Sequence, residues 1–290
     1  MKKFTILIPI FNDWNSLEKL LNEININIKN IENAQFNCVI INDCSTIKNP
    51  KIKIPPLINT VKIVHMIKNK GHARCNAFGV RYLSGENDLD YLILMDGDGE
   101  DRPEEIKLLV DKVFSEPNKS VVAKRIKRSE GFFFQMLYRI HKYLTFIMTG
   151  KLINFGNYSC LIKPDMKKLS IKESLWSSYS GTFKKNIKNY NEINSIRGMR
   201  YFGPSQMSLF KLLIHSFSII AVFKYRVLII SIIYLTVFNY LGFLIKFNFL
   251  FFQILIILFN ILVFIVSFRE NKKELESSHL NIASEEELTH

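Results

Sequence analysis

The sequence is poor in the residues that build disulfide frameworks and zinc modules. Its 290 residues include four cysteines, which form no CxxC pair and have no metal-ligand spacing. We therefore expect reduced thiols in a cytosolic domain. No RNA-binding motif, Cys/His finger or long basic arm is present either, so no nucleic-acid partner is expected.

The N-terminal residues lack the features of a cleavable signal peptide. The apolar run that follows Lys3 is short, contains Pro9 and ends at Asn12 and Asp13 without a small-residue cleavage site. This run is interpreted as a first β-strand, and the N-terminal domain is expected to stay in the cytosol.

Acidic residues are too few to balance the basic ones. The chain has 39 Lys and Arg against 26 Asp and Glu, a net charge of +13. Such an excess indicates an anionic partner, and with nucleic acid set aside the remaining classes are anionic lipids and phosphorylated substrates. Charge is almost absent between residues 227 and 268. The chain is therefore divided into a charged N-terminal part and an apolar C-terminal part.

The N-terminal half alternates between strand-length apolar runs and segments with helical spacing. Runs of strand length cover residues 4–10, 36–41, 61–66 and 91–95. Apolar residues at helical spacing predict helices at about 17–28 and 73–83 and a further helix opened by Pro103. This alternation predicts an α/β fold with a mostly parallel, Rossmann-like sheet, which binds ligands at the carboxyl ends of its strands.

Two apolar segments, residues 227–245 and 249–268, are long enough to cross a membrane, which takes about 20 residues. They predict a transmembrane hairpin; the alternative, two buried core helices, is disfavoured because neither segment has a polar face. Basic residues outside both segments place their outer ends on the cytoplasmic side. We therefore expect an integral membrane protein of the bacterial inner membrane with a cytosolic N-terminal domain.

A helix in the membrane interface is predicted between Leu209 and Ile220. Its apolar surface is broad, and Lys211, His215 and Ser218 are placed on its polar face. Residues 132–148 form a second such stretch, for which an ordinary core helix is an equal alternative.

The tail from Glu270 is polar and acidic, and it is predicted to be disordered. The predicted units are a cytosolic domain (1–207), an interfacial helix (208–225), a two-span hairpin (226–268) and a polar cytosolic tail (269–290).

Asp96-Gly97-Asp98 is the most specific local signal for chemistry. Two carboxylates at the end of a predicted buried strand can reach one side of a turn. Mg²⁺ and Mn²⁺ are held by such carboxylates together with the phosphate oxygens of a substrate. A solvated turn is the alternative, but the strand before the motif and the helix after it favour a site for a nucleotide diphosphate. The metal would act there as a Lewis acid for the leaving group.

Other polar residues point to the same kind of ligand. Asp43 ends the second predicted strand, where an acid accepts hydrogen bonds from ribose or base; the alternative is a turn-forming or helix-capping residue. Arginine offers bidentate geometry to phosphate. Near a membrane, basic residues bind either a lipid-borne phosphate or anionic head groups. The basic candidates are Lys124, Arg125, Arg128, Arg197 and Arg200.

Together these segments resemble a known family. Similarity to family 2 glycosyltransferases of the GT-A fold comes from FTILIPIFN (4–12), NDCS (42–45), NKG (69–71) and DGDGEDRPEE (96–105). The segment RYFGPS (200–205), followed by the interfacial helix and hairpin, is similar to the polyprenyl-phosphate glycosyltransferase branch, which includes dolichyl-phosphate mannose synthases. The resemblance extends over residues 4–268 and depends on the ordered set of motifs.

The resemblance implies roles for the matching positions. The nucleotide would be bound by Pro9, Asn12, Asp43, Asn69, Gly71 and Asp96. Asp96 and Asp98 would lie against the diphosphate and a Mg²⁺ or Mn²⁺ ion, with Asp98 the more direct ligand. Glu100 stands where the branch has Gln and would also approach the metal. The acceptor phosphate would be held by Arg125, Arg128 and Arg200.

Three departures from the family pattern concern the acceptor more than the donor. Asn42 stands where the family often has Asp, and Gln206 stands where it has Lys. Residues 154–159 (NFGNYS) replace an Asp-Phe-Arg type of sequence.

The leading hypothesis is an inverting, metal-dependent glycosyltransferase of cell-envelope glycan synthesis. It would move a sugar from a nucleotide diphosphate-sugar to a membrane lipid phosphate such as polyprenyl phosphate. A hydroxyl of a lipid-linked or cell-surface glycan is the alternative acceptor, and it needs a carboxylate base such as Glu100 or Asp101. A non-catalytic membrane scaffold that binds nucleotide-sugar is the second alternative. The sugar, the nucleotide base, the lipid length and homo-oligomerisation stay open.

Overall fold

The structure, a computed structural model, describes residues 1–48, 50, 52–127, 132–203 and 208–290. Its strands are β1 Lys2–Ile10, β2 Ala34–Asn42, β3 Ile58–Met66, β4 Tyr91–Leu94, β5 Ser120–Lys127, β6 Phe155–Ile162, β7 Tyr190–Ile196 and β8 Ile282–Leu288. They form one sheet in the order β7-β5-β6-β4-β1-β2-β3-β8.

Parallel pairing joins the central strands β4, β1, β2 and β3. Strand β6 runs antiparallel to both β4 and β5, β7 runs parallel to β5, and β8 runs antiparallel to β3. The predicted mostly parallel, Rossmann-like α/β sheet is confirmed. The four predicted strands are all present, and their carboxyl ends meet at one edge.

Helices cover the sheet and continue beyond it. In chain order they are α1 Trp14–Ile28, α2 His72–Ser84, α3 Ile106–Ser115, α4 Phe132–Thr149, α5 Lys163–Ser170, α6 Tyr179–Asn186, α7 Leu209–Ala221, α8 Lys224–Ile245, α9 Leu250–Ser267 and α10 Lys272–Glu276. Short 3-10 turns lie at Pro103–Glu105, Glu173–Trp176 and Ser278–Asn281.

Strand β1 lies in the middle of the sheet and contributes to both hydrophobic layers. Leu7 packs in the layer that contains Phe78 of α2, whereas Ile6 and Ile8 pack in the layer that contains Leu109 of α3. Alternate side chains of a strand face opposite sides, so a strand covered on both faces needs a continuous apolar run. Full burial of each such side chain stabilises the fold by about 1.5–3 kcal/mol.

Helices α8 and α9 are long and apolar enough to cross a membrane. Their only buried residues are Val227, Ser231, Val263 and Ser267, so the core-helix alternative is wrong. The two helices are joined by a hydrogen bond from Asn260 Nδ2 to Ser231 Oγ of 2.7 Å. Such paired polar groups and an exposed apolar surface fit a lipid environment.

The helices before the hairpin also expose apolar side chains. In α7, Leu209, Phe210 and Leu213 are exposed. Only the last residues of that helix are buried, among them Ser218, which was wrongly placed on the polar face. Helix α4 exposes apolar residues that an ordinary core helix would bury: Met136, Ile140, Tyr143, Phe146 and Ile147.

The prediction of a disordered C-terminal tail is wrong. After α9 the chain forms α10 and a 3-10 turn, and β8 then pairs with β3 from Val61↔Leu288 to Met66↔Ile282. The acidic composition that favoured disorder is matched by basic residues on β3: Lys62 Nζ lies 2.8 Å from Glu285 Oε2. Cross-strand charge pairs of this kind stabilise a sheet edge, and they are visible only once the strands are paired.

Replacing Gly79 with valine is expected to destabilise the fold. Gly79 faces β1 from α2, and a Cβ there would lie 2.4 Å from Leu7 Cδ1. Because Leu7 is fully buried, relieving the overlap requires repacking at a cost of about 1–3 kcal/mol. Gly85→Val is the matched control, since a Cβ at Gly85 meets only the Tyr82 carbonyl oxygen at 3.7 Å. Thermal unfolding of the solubilised protein should show a lower Tm for Gly79→Val alone; equal Tm values would contradict this packing.

Candidate active site

The Asp96–Asp101 turn lies at the carboxyl end of β4, beside the end of β1. Its backbone is closed by its own carboxylates: Asp96 N donates to Asp101 Oδ2 at 3.0 Å, and Glu100 N donates to Asp98 Oδ1 at 3.0 Å. Gly99 has a φ of +86°, a conformation that favours glycine. The turn therefore gathers several carboxylates within a few ångströms, as the Asp96-Gly97-Asp98 motif predicts.

Asp96 contacts two side chains that the sequence motifs did not identify. His72 Nε2, at the start of α2, lies 3.1 Å from Asp96 Oδ1. Asn157 Nδ2 of β6 lies 3.2 Å from the same oxygen and 2.9 Å from His72 Nε2. Asp96, the first aspartate of the motif, is thus contacted by α2, the helix after β3, and by the antiparallel strand β6.

The charges in this cluster shift one another's pKa values. Burial would raise the pKa of Asp96, but the charge of His72 outweighs it and holds that pKa well below its usual range. Burial would lower the pKa of His72, but the carboxylates of Asp96, Asp98 and Asp101 raise it to about 8. Burial and the charges of Asp96 and Glu100 raise the pKa of Asp98 to about 6. Burial and the Asp96 charge raise the pKa of Asp101 to about 7.

Glu100 does not join Asp96 and Asp98 in a metal site in this structure. Its carboxylate forms an ion pair with Arg197, at the end of β7. Among the residues that the structure describes, no group of three or more His, Cys, Asp or Glu side chains is arranged to hold a metal. The approach of Glu100 to a metal therefore stays a prediction, and in this structure its carboxylate is paired with an arginine.

Asp96 and Asp98 by themselves fit a different mode of metal binding. Mg²⁺ and similar ions are often held by one or two carboxylates plus the phosphates of the substrate. Burial and the charge of neighbouring carboxylates raise the pKa values of Asp98 and Asp101, and a divalent cation would offset both effects. The pair thus suits a cation that arrives with a diphosphate.

Residues 197–203, named here the covering segment, pack over the turn. Tyr201 N donates to Asp98 O at 2.9 Å, and Gly198 N donates to Glu100 O at 2.8 Å. The Tyr201 ring lies on Gly99, where a Cβ would be 2.5 Å from the ring. The segment that precedes the interfacial helix is thus part of the site.

Arg200 lies between two carboxylates. Its Nη1 lies 2.8 Å from Asp98 Oδ2, and its Nη2 lies 2.5 Å from Asp13 Oδ2. The role of Arg200 in holding an acceptor phosphate stays a prediction; in this structure Arg200 pairs with the second aspartate of the motif. Asp13 was not predicted, although its position directly after β1 and Asn12 placed it at the sheet edge.

Asp43 holds the loop that follows β3. Its carboxylate accepts hydrogen bonds from Lys70 N at 2.7 Å and Gly71 N at 2.8 Å, and its carbonyl oxygen accepts one from Asn69 Nδ2 at 3.1 Å. The turn-forming alternative for Asp43 is therefore realised. Contact of Asp43, Asn69 and Gly71 with a nucleoside stays a prediction.

The remaining predicted residues are distributed around this edge. Asn12 Oδ1 accepts hydrogen bonds from Thr46 N at 2.8 Å and holds the turn after β2. Pro9 is buried in β1. Arg125 of β5 lies 3.6 Å from Asp101 Oδ1. Arg128 and Gln206 lie outside the described residues.

Removing the Tyr201 ring is expected to free the covering segment. The ring fills the space above Gly99, and its hydroxyl lies 2.5 Å from Glu23 Oε2. Tyr201→Ala should therefore accelerate tryptic cleavage between residues 197 and 203 severalfold. Phe202→Ala is the control, because that neighbouring ring is 50% exposed and its loss should change little. Equal cleavage rates in the two variants would mean that the segment is held without the ring.

The sequence is similar to a known protein family and to curated relatives. The family model described as glycosyl transferase family 2 matches residues 5–201. A curated relative, the undecaprenyl-phosphate 4-deoxy-4-formamido-L-arabinose transferase of Serratia proteamaculans, is 26% identical over 221 residues. That of Photorhabdus laumondii is 25% identical over 221 residues. Each match covers 73% of this chain and 65% of the relative, so the chain spans slightly less than two thirds of these relatives.

Solved structures share the fold at low identity. Glucosyl-3-phosphoglycerate synthase from Mycobacterium tuberculosis, crystallised with Mn²⁺, UDP-glucose and phosphoglyceric acid, superposes with a TM-score of 0.54. It is 15% identical, and the match covers 78% of this chain and 80% of that one. TarS from S. aureus gives a TM-score of 0.50 at 14% identity over 77% of this chain and 40% of its own. Both likenesses concern the fold alone.

Proposed function

The chain belongs to glycosyl transferase family 2, and from this premise we propose that it transfers a sugar from a nucleotide diphosphate-sugar to a membrane lipid phosphate. Polyprenyl phosphate is the proposed acceptor, and the anomeric carbon is inverted. One observation carries the proposal: a carboxylate turn at the sheet edge is covered by a segment that leads, through α7, into two exposed apolar helices. Curated relatives named as undecaprenyl-phosphate sugar transferases support the same acceptor class.

The donor half of the reaction is assigned to the carboxylate turn. Asp96 and Asp98 would hold a Mg²⁺ or Mn²⁺ ion, which neutralises charge on the departing diphosphate. His72 holds Asp96 at 3.1 Å and keeps its carboxylate oriented. The covering segment packs the Tyr201 ring against Gly99 and would shield that side of the turn from water.

The acceptor half is assigned to arginines. A phosphate monoester is already ionised near neutral pH, so it can attack without a general base and needs only to be positioned. Arg125 and Arg200 lie at the margins of the carboxylate cluster, against Asp101 and Asp98. With Arg128 they form the proposed set that binds the acceptor phosphate.

The acids available as a base favour phosphate over a hydroxyl as acceptor. A hydroxyl acceptor needs a free carboxylate. Glu100 is paired with Arg197, and Asp101 accepts a hydrogen bond from Asp96 N while facing Arg125. Both acids are thus already engaged in contacts within the site, which supports phosphate as the acceptor.

The proposed location follows from the two apolar helices. As membrane spans, α8 and α9 would begin and end on one side, where Lys224 and Glu270 form an ion pair of 2.6 Å. Basic residues at this end support a catalytic domain on the cytosolic face. The covering segment and α7 would then present the site to lipids of the inner membrane.

Asp98→Asn is expected to lower sugar transfer by about 100-fold or more, because it removes charge from the proposed metal site. Chelation of divalent ions from the wild-type protein should have the same effect, and added Mg²⁺ or Mn²⁺ should reverse it. Asp111→Asn is the control, since Asp111 is exposed on α3 and pairs only with Lys107 within its own helix. Wild-type turnover by Asp98→Asn would remove the metal site from the proposal.

Membranes that contain the protein should transfer label from a nucleotide-sugar into extractable lipid. Incubation with a panel of labelled nucleotide-sugars identifies the donor, and added polyprenyl phosphate should raise the yield. A phosphate-linked sugar is released by mild acid and resists alkali. Label that requires a glycan hydroxyl instead would support the alternative acceptor. Absence of both products across the panel would support a non-catalytic scaffold.

A further inference from the structure

The segment after α9 returns to the sheet and contacts the loop that follows β3. The loop comprises residues 67–71 and is named here the 67–71 loop. Asn281 touches it at three points: its carbonyl oxygen accepts from Ile67 N at 2.7 Å, its Oδ1 accepts from Lys68 N at 3.2 Å, and its Nδ2 donates to Lys68 O at 3.1 Å. One side chain thus binds both backbone groups of Lys68.

The other side of the same loop is bound by Asp43. The amides of Lys70 and Gly71 donate to the two Asp43 carboxylate oxygens at 2.7 and 2.8 Å. Gly71 has a φ of +89°. The loop therefore lies between Asp43 on the side of the site and Asn281 on the outside, and the Asp43 carboxylate and Asn281 both bind its backbone.

A second contact acts on the side chain of Lys70. Glu274 of α10 lies 3.6 Å from Lys70 Nζ and accepts a hydrogen bond from Trp176 Nε1 at 3.1 Å. Both members of the ion pair are partly exposed, so its contribution is small. It nevertheless keeps the Lys70 side chain on the side of the C-terminal segment.

The C-terminal segment is itself fixed at both ends. At its start, Glu270 is almost fully buried and pairs with Lys224 at 2.6 Å, which joins the ends of α8 and α9. At its end, β8 pairs with β3 over residues 61–66. Asn281 lies between these two attachments, directly before β8, and both restrict its position.

We infer that residues 270–288 position the 67–71 loop for the nucleotide, with Asn281 as the positioning residue. The inference rests on the proposed function, in which this loop binds the donor nucleotide. A loop ordered in advance has less conformational freedom to lose on binding. Asn281 therefore acts on donor affinity through the loop, without touching the reacting atoms.

Asn281→Leu in the full-length protein tests this role, because it removes both side-chain hydrogen bonds to Lys68. Two lost bonds should raise the KM for the nucleotide-sugar roughly five- to tenfold, with little change in kcat. Hydrogen–deuterium exchange of peptides that span residues 67–71 should become severalfold faster. Asn281→Asp keeps the acceptor for Lys68 N but turns a carboxylate oxygen towards Lys68 O, so it should also raise the KM and speed exchange of the loop.

Glu285→Ala is the matched control on the same segment. Glu285 binds Lys62 at 2.8 Å and Tyr82 at 3.0 Å, away from the 67–71 loop. Glu285→Ala should lower Tm by about as much as Asn281→Leu does. It should change neither the KM for the nucleotide-sugar nor the hydrogen–deuterium exchange of the 67–71 loop. Unchanged loop exchange in Asn281→Leu, or a lower Tm with an unchanged KM, would overturn the inference. If wild-type protein turned over no nucleotide-sugar, the proposed function would fail, and loop exchange would still decide whether Asn281 positions the loop.

Discussion

Negative charge gathered on one turn is the constraint on which the rest of the site depends. Four carboxylates occupy the Asp96–Asp101 turn at the end of a buried strand, and like charges in such a place raise one another's pKa values. A buried charge left without a partner is costly. Distant parts of the chain therefore supply the counter-charges. The cations come from α2, β5, the end of β7 and the covering segment: His72, Arg125, Arg197 and Arg200.

This charge balance has a direct bearing on the proposed chemistry. Arg200 pairs with Asp98, and arginine is also the group best suited to phosphate. Binding a diphosphate together with a divalent cation would thus exchange partners within an existing set of charges. The site does not have to take an isolated charge into an apolar pocket, which is the costly alternative.

The sequence predicted the parts of the fold that local patterns govern. The continuous apolar run of β1 and the helical spacing of α1 and α2 were enough to predict a Rossmann-like sheet, and the Asp96-Gly97-Asp98 motif located the carboxylate turn. Contacts that join distant segments could not be predicted. His72 meets Asp96 only because α2 and β4 end at the same edge, and Glu100 meets Arg197 only because β7 ends there.

The C-terminal tail is the clearest case in which a local sequence pattern led to a wrong prediction. Residues 284–287 (SEEE) are typical of a solvated segment, and no periodicity marks them as a strand. Their order comes from pairing with β3, where Lys62 Nζ lies 2.8 Å from the Glu285 carboxylate. A local pattern cannot report a partner that lies more than two hundred residues away in the chain.

The position of β8 also sets an order of events in biosynthesis. The strand that closes the edge of the cytosolic sheet is made after both apolar helices. If these helices cross the membrane, the sheet can be completed only when the hairpin has inserted with both ends on the side of the catalytic domain. A chain inserted with one span in the wrong orientation would leave β3 as an open edge, a state that chaperones and proteases recognise. Closure of the sheet would then act as a check on membrane topology before the enzyme becomes active.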